Sequence, residues 1–431
     1  MIGFFLPCIL ILSLTAIMNF TSATKATPEG SISSGMPDIK DPNLRVESVS
    51  EGLELPTSIA FLARNDILVL EKDKGTVQRI VNDNMLPEPL LDVNVANKNE
   101  RGMLGLAVTA SEKYPTYVFL YYTESAEDGN DDCPRSNHCN PGNEPLGNRL
   151  YRYEYANDKL LNPKLMLDLP ATPGPSHNGG SLIIGPDNDV YLSIGDVRSE
   201  SIQNISSIDG RGGILRITQD GQEVGEGIIG NSRPLNLYYA YGIRNSFGMD
   251  FDPLTGNLWD AENGPEYGDE INLVEPGFNS GWDIVQGIWP GMEGEPLKTN
   301  KTVSDPENLL DFGGKSKYNP PELTWARTIG PTAIKFLTSD KLGKQYQNDI
   351  FMGDVHNGNL YHFELDSKRT GLLLGGPLDD KVVDIDSENE AIIFGEGFGG
   401  ISDLEVGPDG YLYVVSIGQG KIYRIVSAND E

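Results

Sequence analysis

His177 is one of only four histidines in the chain. Asn178, Gly179 and Gly180 follow it, and Asp196 closes the same stretch, HNGGSLIIGPDNDVYLSIGD. A strand over 181–184, a Gly-Pro-Asp turn over 185–187 and a second strand over 190–194 fit between the two. Two strands joined by a turn bring the chain back to its starting edge, so positions 177 and 196 meet. A carboxylate beside an imidazole orients the ring and raises its basicity, which suits a general base. Arg244 and Asn245 stand in YGIRN, directly before a strand over 247–251. A guanidinium and an amide on such a loop suit an anionic or multiply oxygenated ligand. The run NGPEYGDE over 263–270, with GFNSGW over 277–282 behind it, packs carboxylates and turn carbonyls densely. Hard oxygen donors of this kind fit Ca²⁺, although the acidic spacing is not that of an EF-hand. Each stretch also has a plainer reading. These are a loop-capping histidine, an arginine paired to one of many carboxylates, and a solvated acidic loop.

The elements that position these residues repeat along the chain. Short alternating strands lead to a turn, an apolar or aromatic strand, a Gly-containing turn and a third strand. The theme starts at Ser58, Leu104, His177, Phe247, Ala333 and Ile401, six times in all. Repeated sheets of short strands cover each other when packed radially around an axis. The expected fold is all-β, a six-bladed β-propeller over 46–428, with a pair of β-sandwiches as the alternative. Insertions at 125–147, 283–325 and 366–390 lie on a face of the disc, and loops at a channel mouth carry function. Trp289 and Trp325 fall in the second insertion, where sugar stacking competes with plain packing.

Lys+Arg number 33 against 63 Asp+Glu, a formal net charge of −30. Such a chain repels nucleic acid and anionic membrane surfaces. Residues 2–19 are almost wholly apolar and lead to Thr21-Ser22-Ala23. This reads as a secretory signal peptide over 1–23, with an N-terminal membrane anchor as the alternative. A Ser/Pro/Gly-rich linker over 24–45 follows. An extracytoplasmic location makes Cys133 and Cys139 a local disulfide, with a metal site including His138 as the rival. Asn204 and Asn300 open glycosylation sequons. No P-loop, dinucleotide fingerprint, H-E-x-x-H or G-x-S-x-G motif occurs, so redox chemistry here needs a cofactor other than a nucleotide on a Rossmann fold.

In combination, ERGMLGLA (100–107), the 177–196 stretch, GGILRI (212–217), the run from Tyr241 to Trp282 and ISDLEVGPDGYLYVVS (401–416) resemble the PQQ-dependent glucose/sorbosone dehydrogenase family. Aldose sugar dehydrogenases are among its members, and the resemblance runs from about Val46 to Arg424. It implies a six-bladed propeller with pyrroloquinoline quinone (PQQ) and Ca²⁺ at the channel mouth. The substrate would be an aldose sugar, the product a lactone, and electrons would pass to an external acceptor. His177 would take the proton of the anomeric hydroxyl, Asp196 would support it, and Arg244 and Asn245 would contact the quinone and the developing charge. Glu100 and His356 join the cofactor-binding positions. The carbonyls of Gly264 and Pro265 would hold the Ca²⁺ that polarises PQQ. Glu270 and the Ser280 backbone match a second, structural Ca²⁺ site, and Asp269 lies in the same metal-binding stretch.

The sequence departs from the family pattern at four places. Gly400 and Ser402 stand where a G-R-x-R-D pattern carries arginines, His356 stands where a cofactor lysine is common, and Ser181 stands where an arginine often follows HNGG. PQQ carries three carboxylates. Losing two charge-assisted contacts of about 1.5–3 kcal/mol each weakens binding on the order of a hundredfold or more. Two further readings therefore stand beside the dehydrogenase. One is a non-catalytic propeller that binds a glycan or protein partner at the cell surface. The other is a Ca²⁺-dependent lactonase or esterase using 266–270.

Overall fold

The computed structural model describes residues 35–109, 116–125, 145–199, 203, 208–288 and 309–429. The expected signal segment, Cys133, Cys139, His138, Asn204, Trp289 and Asn300 lie outside the described residues.

The strands form six separate sheets, and the architecture is an all-β propeller. The innermost strand of each sheet is Pro56–Ala63, Met103–Val108, Leu182–Ile184, Ser246–Phe251, Pro331–Phe336 or Ile401–Val406. These strands abut one another in sequence order, and the last returns to the first, which encloses a central channel. The six repeat starts fall on, or just before, these strands.

Position in the sheet explains the strand patterns. Second strands such as Val190–Ile194, Ile350–Asp354 and Leu412–Ser416 are buried at every residue, because neighbouring sheets cover both faces. Their apolar runs therefore do not alternate. The outer strand Lys159–Leu169 has one face in water and exposes most of its middle. Trp325 ends the strand Leu323–Trp325 and packs among Trp259, Phe336 and Tyr361, so it is a core residue and no sugar platform.

Closure of the ring corrects the linker boundary. Leu44–Glu51 pairs antiparallel with the C-terminal strand Lys421–Ser427, from Leu44↔Ser427 to Glu51↔Lys421. Asp38–Ile39 pairs with Ile393–Glu396 in the preceding sheet. Of the tract expected to be a free tether, residues 38–39 and 44–45 thus belong to sheets. Backbone groups at an open sheet edge need partners, and this N-terminal tract supplies them. The third insertion contains the one α-helix among the described residues, Asp386–Ile392.

Candidate active site

His177 sits on the loop before Leu182–Ile184, in the left-handed backbone region at φ 64°. Two hydrogen bonds and a close approach hold it there. Its N–H donates to Glu100 Oε2 at 2.6 Å, and its carbonyl accepts the Val197 N–H. Gly195 runs beside it, and a Cβ at 195 would stand 2.5 Å from the His177 carbonyl oxygen, so only glycine fits. Nδ1 of His177 lies 2.6 Å from Asp196 Oδ1. A carboxylate only accepts, so Nδ1 carries the proton and the Nε2 lone pair is left as the acceptor.

Asp196 is a convergence point. Oδ1 also accepts the Arg198 N–H at 2.7 Å, and Oδ2 accepts the Trp282 indole N–H at 2.7 Å. Three donors on a carboxylate that is 3% exposed fix its orientation. The meeting of positions 177 and 196 follows from the strand–turn–strand path. The indole was not legible, because Trp282 follows Phe278–Asn279, a two-residue strand that pairs parallel with Tyr238–Tyr241 and carries no periodic signal.

His177 lines a cavity of about 430 Å³ with Glu100, Arg244, Asn245, Gly264, Pro265 and His356. Arg244 is buried, and its Nη1 donates to the Asn263 carbonyl at 2.8 Å. Its Nε–H is buried with no acceptor among the described residues, and its guanidinium lies 5.4 Å from the Trp282 ring centre. Burial pushes its pKa down, against the pull of Asp196 and Glu100. A buried, orphaned donor on a cation is a demand for an oxygen-bearing ligand. Asn245 has a more internal role than a cofactor contact. Its Oδ1 accepts the Gly179 N–H at 3.1 Å and its Nδ2 donates to Glu100 Oε2 at 3.1 Å, so it ties three loops together.

The expected metal residues separate into two places. Gly264 and Pro265 line the cavity, and among the described residues no donor bonds either carbonyl. Two free carbonyls on a cavity wall fit a hard cation. Asp269 lines the cavity as well, with its carboxylate already engaged by backbone donors. Its Oδ1 accepts the Gly264 N–H, and its Oδ2 accepts the N–H groups of Ile329 and Gly330, at 2.7, 2.6 and 2.8 Å. The carboxylate shapes the loop that presents the carbonyls.

Glu270 and Ser280 do come together, away from the cavity. Strand pairing sets Glu262 opposite Glu270 and Asp260 opposite Asn272, and all four lie on one face of the sheet. Ser280 Oγ donates to Glu262 Oε2 at 2.6 Å. Glu270 accepts from the Gly287 N–H, and neither oxygen of Asp260 has a hydrogen bond in good geometry. Asp260, Glu262 and Glu270 are all fully or nearly fully buried. Burial raises the pKa of each, Asp260 to about 7 and Glu270 to about 8, and repulsion from neighbouring carboxylates adds to it at Glu262 and Glu270. A buried trio without a cationic side chain calls for a bound cation or for protons.

The four departures have structural consequences. Gly400 has φ 89°, and a Cβ there would lie 3.0 Å from the Val355 carbonyl oxygen. Ser402 gives its hydroxyl hydrogen to the Pro56 carbonyl at 2.7 Å. His356 stands exposed on the cavity wall, and Ser181 lines it with its N–H on Ser193 Oγ.

Fold and site together define a propeller protein with its polar groups at one mouth of the channel and a carboxylate-held imidazole among them. The chain belongs to the Glucose / Sorbosone dehydrogenase family, which it matches over residues 53–424. It is similar to quinoprotein glucose dehydrogenase B of Acinetobacter calcoaceticus, with 27% identity over 454 residues, 89% of this chain and 88% of that protein. It is also similar to an aldose sugar dehydrogenase of Escherichia coli strain K12, with 24% identity over 380 residues, 86% of this chain and 90% of that one. Among solved structures, the PQQ-bound aldose sugar dehydrogenase of Streptomyces coelicolor shares the fold. Its TM-score is 0.63 at 22% identity, over 90% of this chain and 99% of that one.

Proposed function

We propose that this chain is an exported, PQQ- and Ca²⁺-dependent aldose dehydrogenase built on six blades. It oxidises the anomeric carbon of a sugar to a lactone and passes the electrons to an external acceptor. The observation that carries the reading is the His177–Asp196 pair on the wall of a cavity that also holds the orphaned Nε–H of Arg244. The names of the two relatives, a quinoprotein and an aldose sugar dehydrogenase, support the cofactor and the substrate class.

The residues present fit both groups. Arg244 offers an unused donor to an oxygen-rich anion, and the Gly264 and Pro265 carbonyls would hold the calcium beside it. When bound, the quinone supplies the acceptor for the anomeric hydride and the calcium polarises it. His177 Nε2 takes the proton of the anomeric hydroxyl as the carbonyl forms. Asp196 holds the ring in the required tautomer and stabilises the imidazolium. Glu100 fixes the His177 backbone and the Asn245 amide at once. Glu270 and the Ser280 backbone would match a second, structural calcium site, next to the buried acids Asp260 and Glu262.

Purified protein is assayed with PQQ, Ca²⁺, a redox dye and a broad aldose panel. Sugar-dependent dye reduction that needs all three components is expected. Its absence across the panel would turn the reading to a non-catalytic propeller that binds a glycan or a partner. Gly400, Ser402 and His356, at positions of family cations, favour that alternative.

A further inference from the structure

In so acidic a protein, arginines are normally claimed by carboxylates. Arg79, Arg149, Arg216 and Arg424 each hold two. Arg198 is different. It lines the cavity, is exposed, and pairs with no carboxylate of the described residues. Two acids stand two residues away in sequence: Glu200 lies outside the described residues, and Asp196 has both oxygens occupied by His177, Trp282 and the Arg198 backbone N–H.

The backbone puts the side chain there deliberately. Val197 and Arg198 are both left-handed, at φ 52° and 60°. For a β-branched residue that conformation is a strained outlier, and such strain clusters at functional sites. Val197 is fully buried and bonded at both ends, its N–H to the His177 carbonyl and its carbonyl to the Gly174 N–H. The Arg198 N–H is anchored on the carboxylate that holds the base. The turn therefore locks the start of the Arg198 side chain beside the His177–Asp196 pair. Its charge is close enough to bear on the guanidinium of Arg244.

We propose that Arg198 is the carboxylate-recognising arginine of this cleft. A guanidinium forks onto a carboxylate with two parallel hydrogen bonds. The carboxylate can come from the quinone or from a sugar acid, and the inference rests on the redox-site reading given above. Arg198 supplies the cation that Gly400 and Ser402 do not, from the base side of the cavity.

Wild-type protein, Arg198→Ala and Arg198→Lys are each titrated by calorimetry with PQQ in the presence of Ca²⁺, and separately with glucuronate and glucose. Arg198 is exposed, so unchanged thermal unfolding is the folding control. Weakening of PQQ binding by about 10- to 100-fold in Arg198→Ala, with partial retention in Arg198→Lys, assigns the contact to the cofactor. Unchanged PQQ binding with a selective loss for glucuronate over glucose assigns it to an acidic sugar substrate. Wild-type protein that binds no PQQ removes the redox reading, while the glucuronate arm still decides Arg198. Equal affinity of wild type and Arg198→Ala for each ligand that binds, or no binding of either anion to the wild type, overturns the inference.

Discussion

Asp196→Asn is the sharpest test of the base assignment. Asp196 accepts three hydrogen bonds, two on Oδ1 and one on Oδ2. An asparagine offers one oxygen and one NH₂ group. With its oxygen toward His177 and Arg198, the NH₂ faces the indole N–H of Trp282, donor against donor. With the amide turned over, the NH₂ faces Nδ1 of His177. The imidazole then carries its proton on Nε2 and has no lone pair for the sugar hydroxyl. The second arrangement satisfies Trp282 and disables the base. The first loses one charge-assisted bond, about 1.5–3 kcal/mol, and weakens the imidazolium. A mis-set tautomer in a carboxylate–histidine pair costs up to about 10,000-fold, and loss of general base catalysis alone about 100- to 10,000-fold. We therefore expect kcat to fall by about 100- to 10,000-fold, with PQQ affinity nearly unchanged because Asp196 does not line the cavity. Steady-state dye reduction gives kcat, calorimetry gives the affinity, and near-ultraviolet circular dichroism checks the fold. A folded, PQQ-binding Asp196→Asn protein with kcat within about threefold of wild type would refute the reasoning, since the tautomer argument allows no such outcome.

Trp282→Phe keeps the ring under Arg244 and removes only the N–H. Asp196 Oδ2 then loses its donor in a buried place, and we expect a stability loss of about 1.5–3 kcal/mol by denaturant titration with a kcat loss smaller than that of Asp196→Asn. The buried trio predicts a pH effect on metal-free protein. Raised folded-state values for Asp260, Glu262 and Glu270 give stability that is full below their ordinary values of 3.8 and 4.5 and is lost as pH rises through about 7 and 8. With chelator the protein should therefore be less stable at pH 8 than at pH 5, and added Ca²⁺ should restore stability most at pH 8. Equal stability at both pH values with chelator would count against it. Gly400→Arg restores a family cation but forces a side chain onto φ 89°. We expect a loss of about 1–3 kcal/mol in urea unfolding and little gain in PQQ affinity.

Much of the frame was legible because it rests on local pattern. The repeats beginning at Ser58, Leu104, Phe247, Ala333 and Ile401 mark inner strands, since alternation and turn residues are written within a few positions of each other. The pairing of Leu44–Glu51 with Lys421–Ser427 was not legible, because no local signal names a partner at the far end of the chain. His177 and Asp196 could be paired by counting along one hairpin. The hold of Asp269 on the metal-side loop could not be read from sequence. Two of the three amides that saturate it come from Ile329 and Gly330, some sixty residues on. Asp260 and Glu262 were within reach, since their period of two puts them on one face opposite Glu270. Their signal was masked by the denser run of acids and turn residues just after them.

A net charge of −30 and a cleft for an anion coexist because charge acts over short distances here. At physiological ionic strength, surface charges farther away than about 8 Å are largely screened. What the ligand meets is the local set, and most of its cations are already committed. Lys335 pairs with Glu405 and Asp250 at 3.0 and 3.6 Å. Lys72 donates to the carbonyls of Asn99 and Arg101 and pairs with Asp73. Arg244 has one orphaned N–H, and Arg198 has no carboxylate among the described residues. Two guanidiniums cannot neutralise a tricarboxylate alone, so under the proposed function a calcium held by the Gly264 and Pro265 carbonyls would carry part of the charge. The loss of arginines at 400 and 402 therefore shifts the burden of cofactor recognition toward the metal and toward the base side of the cavity. Binding of PQQ to this chain should accordingly depend more steeply on Ca²⁺ than on any single side chain.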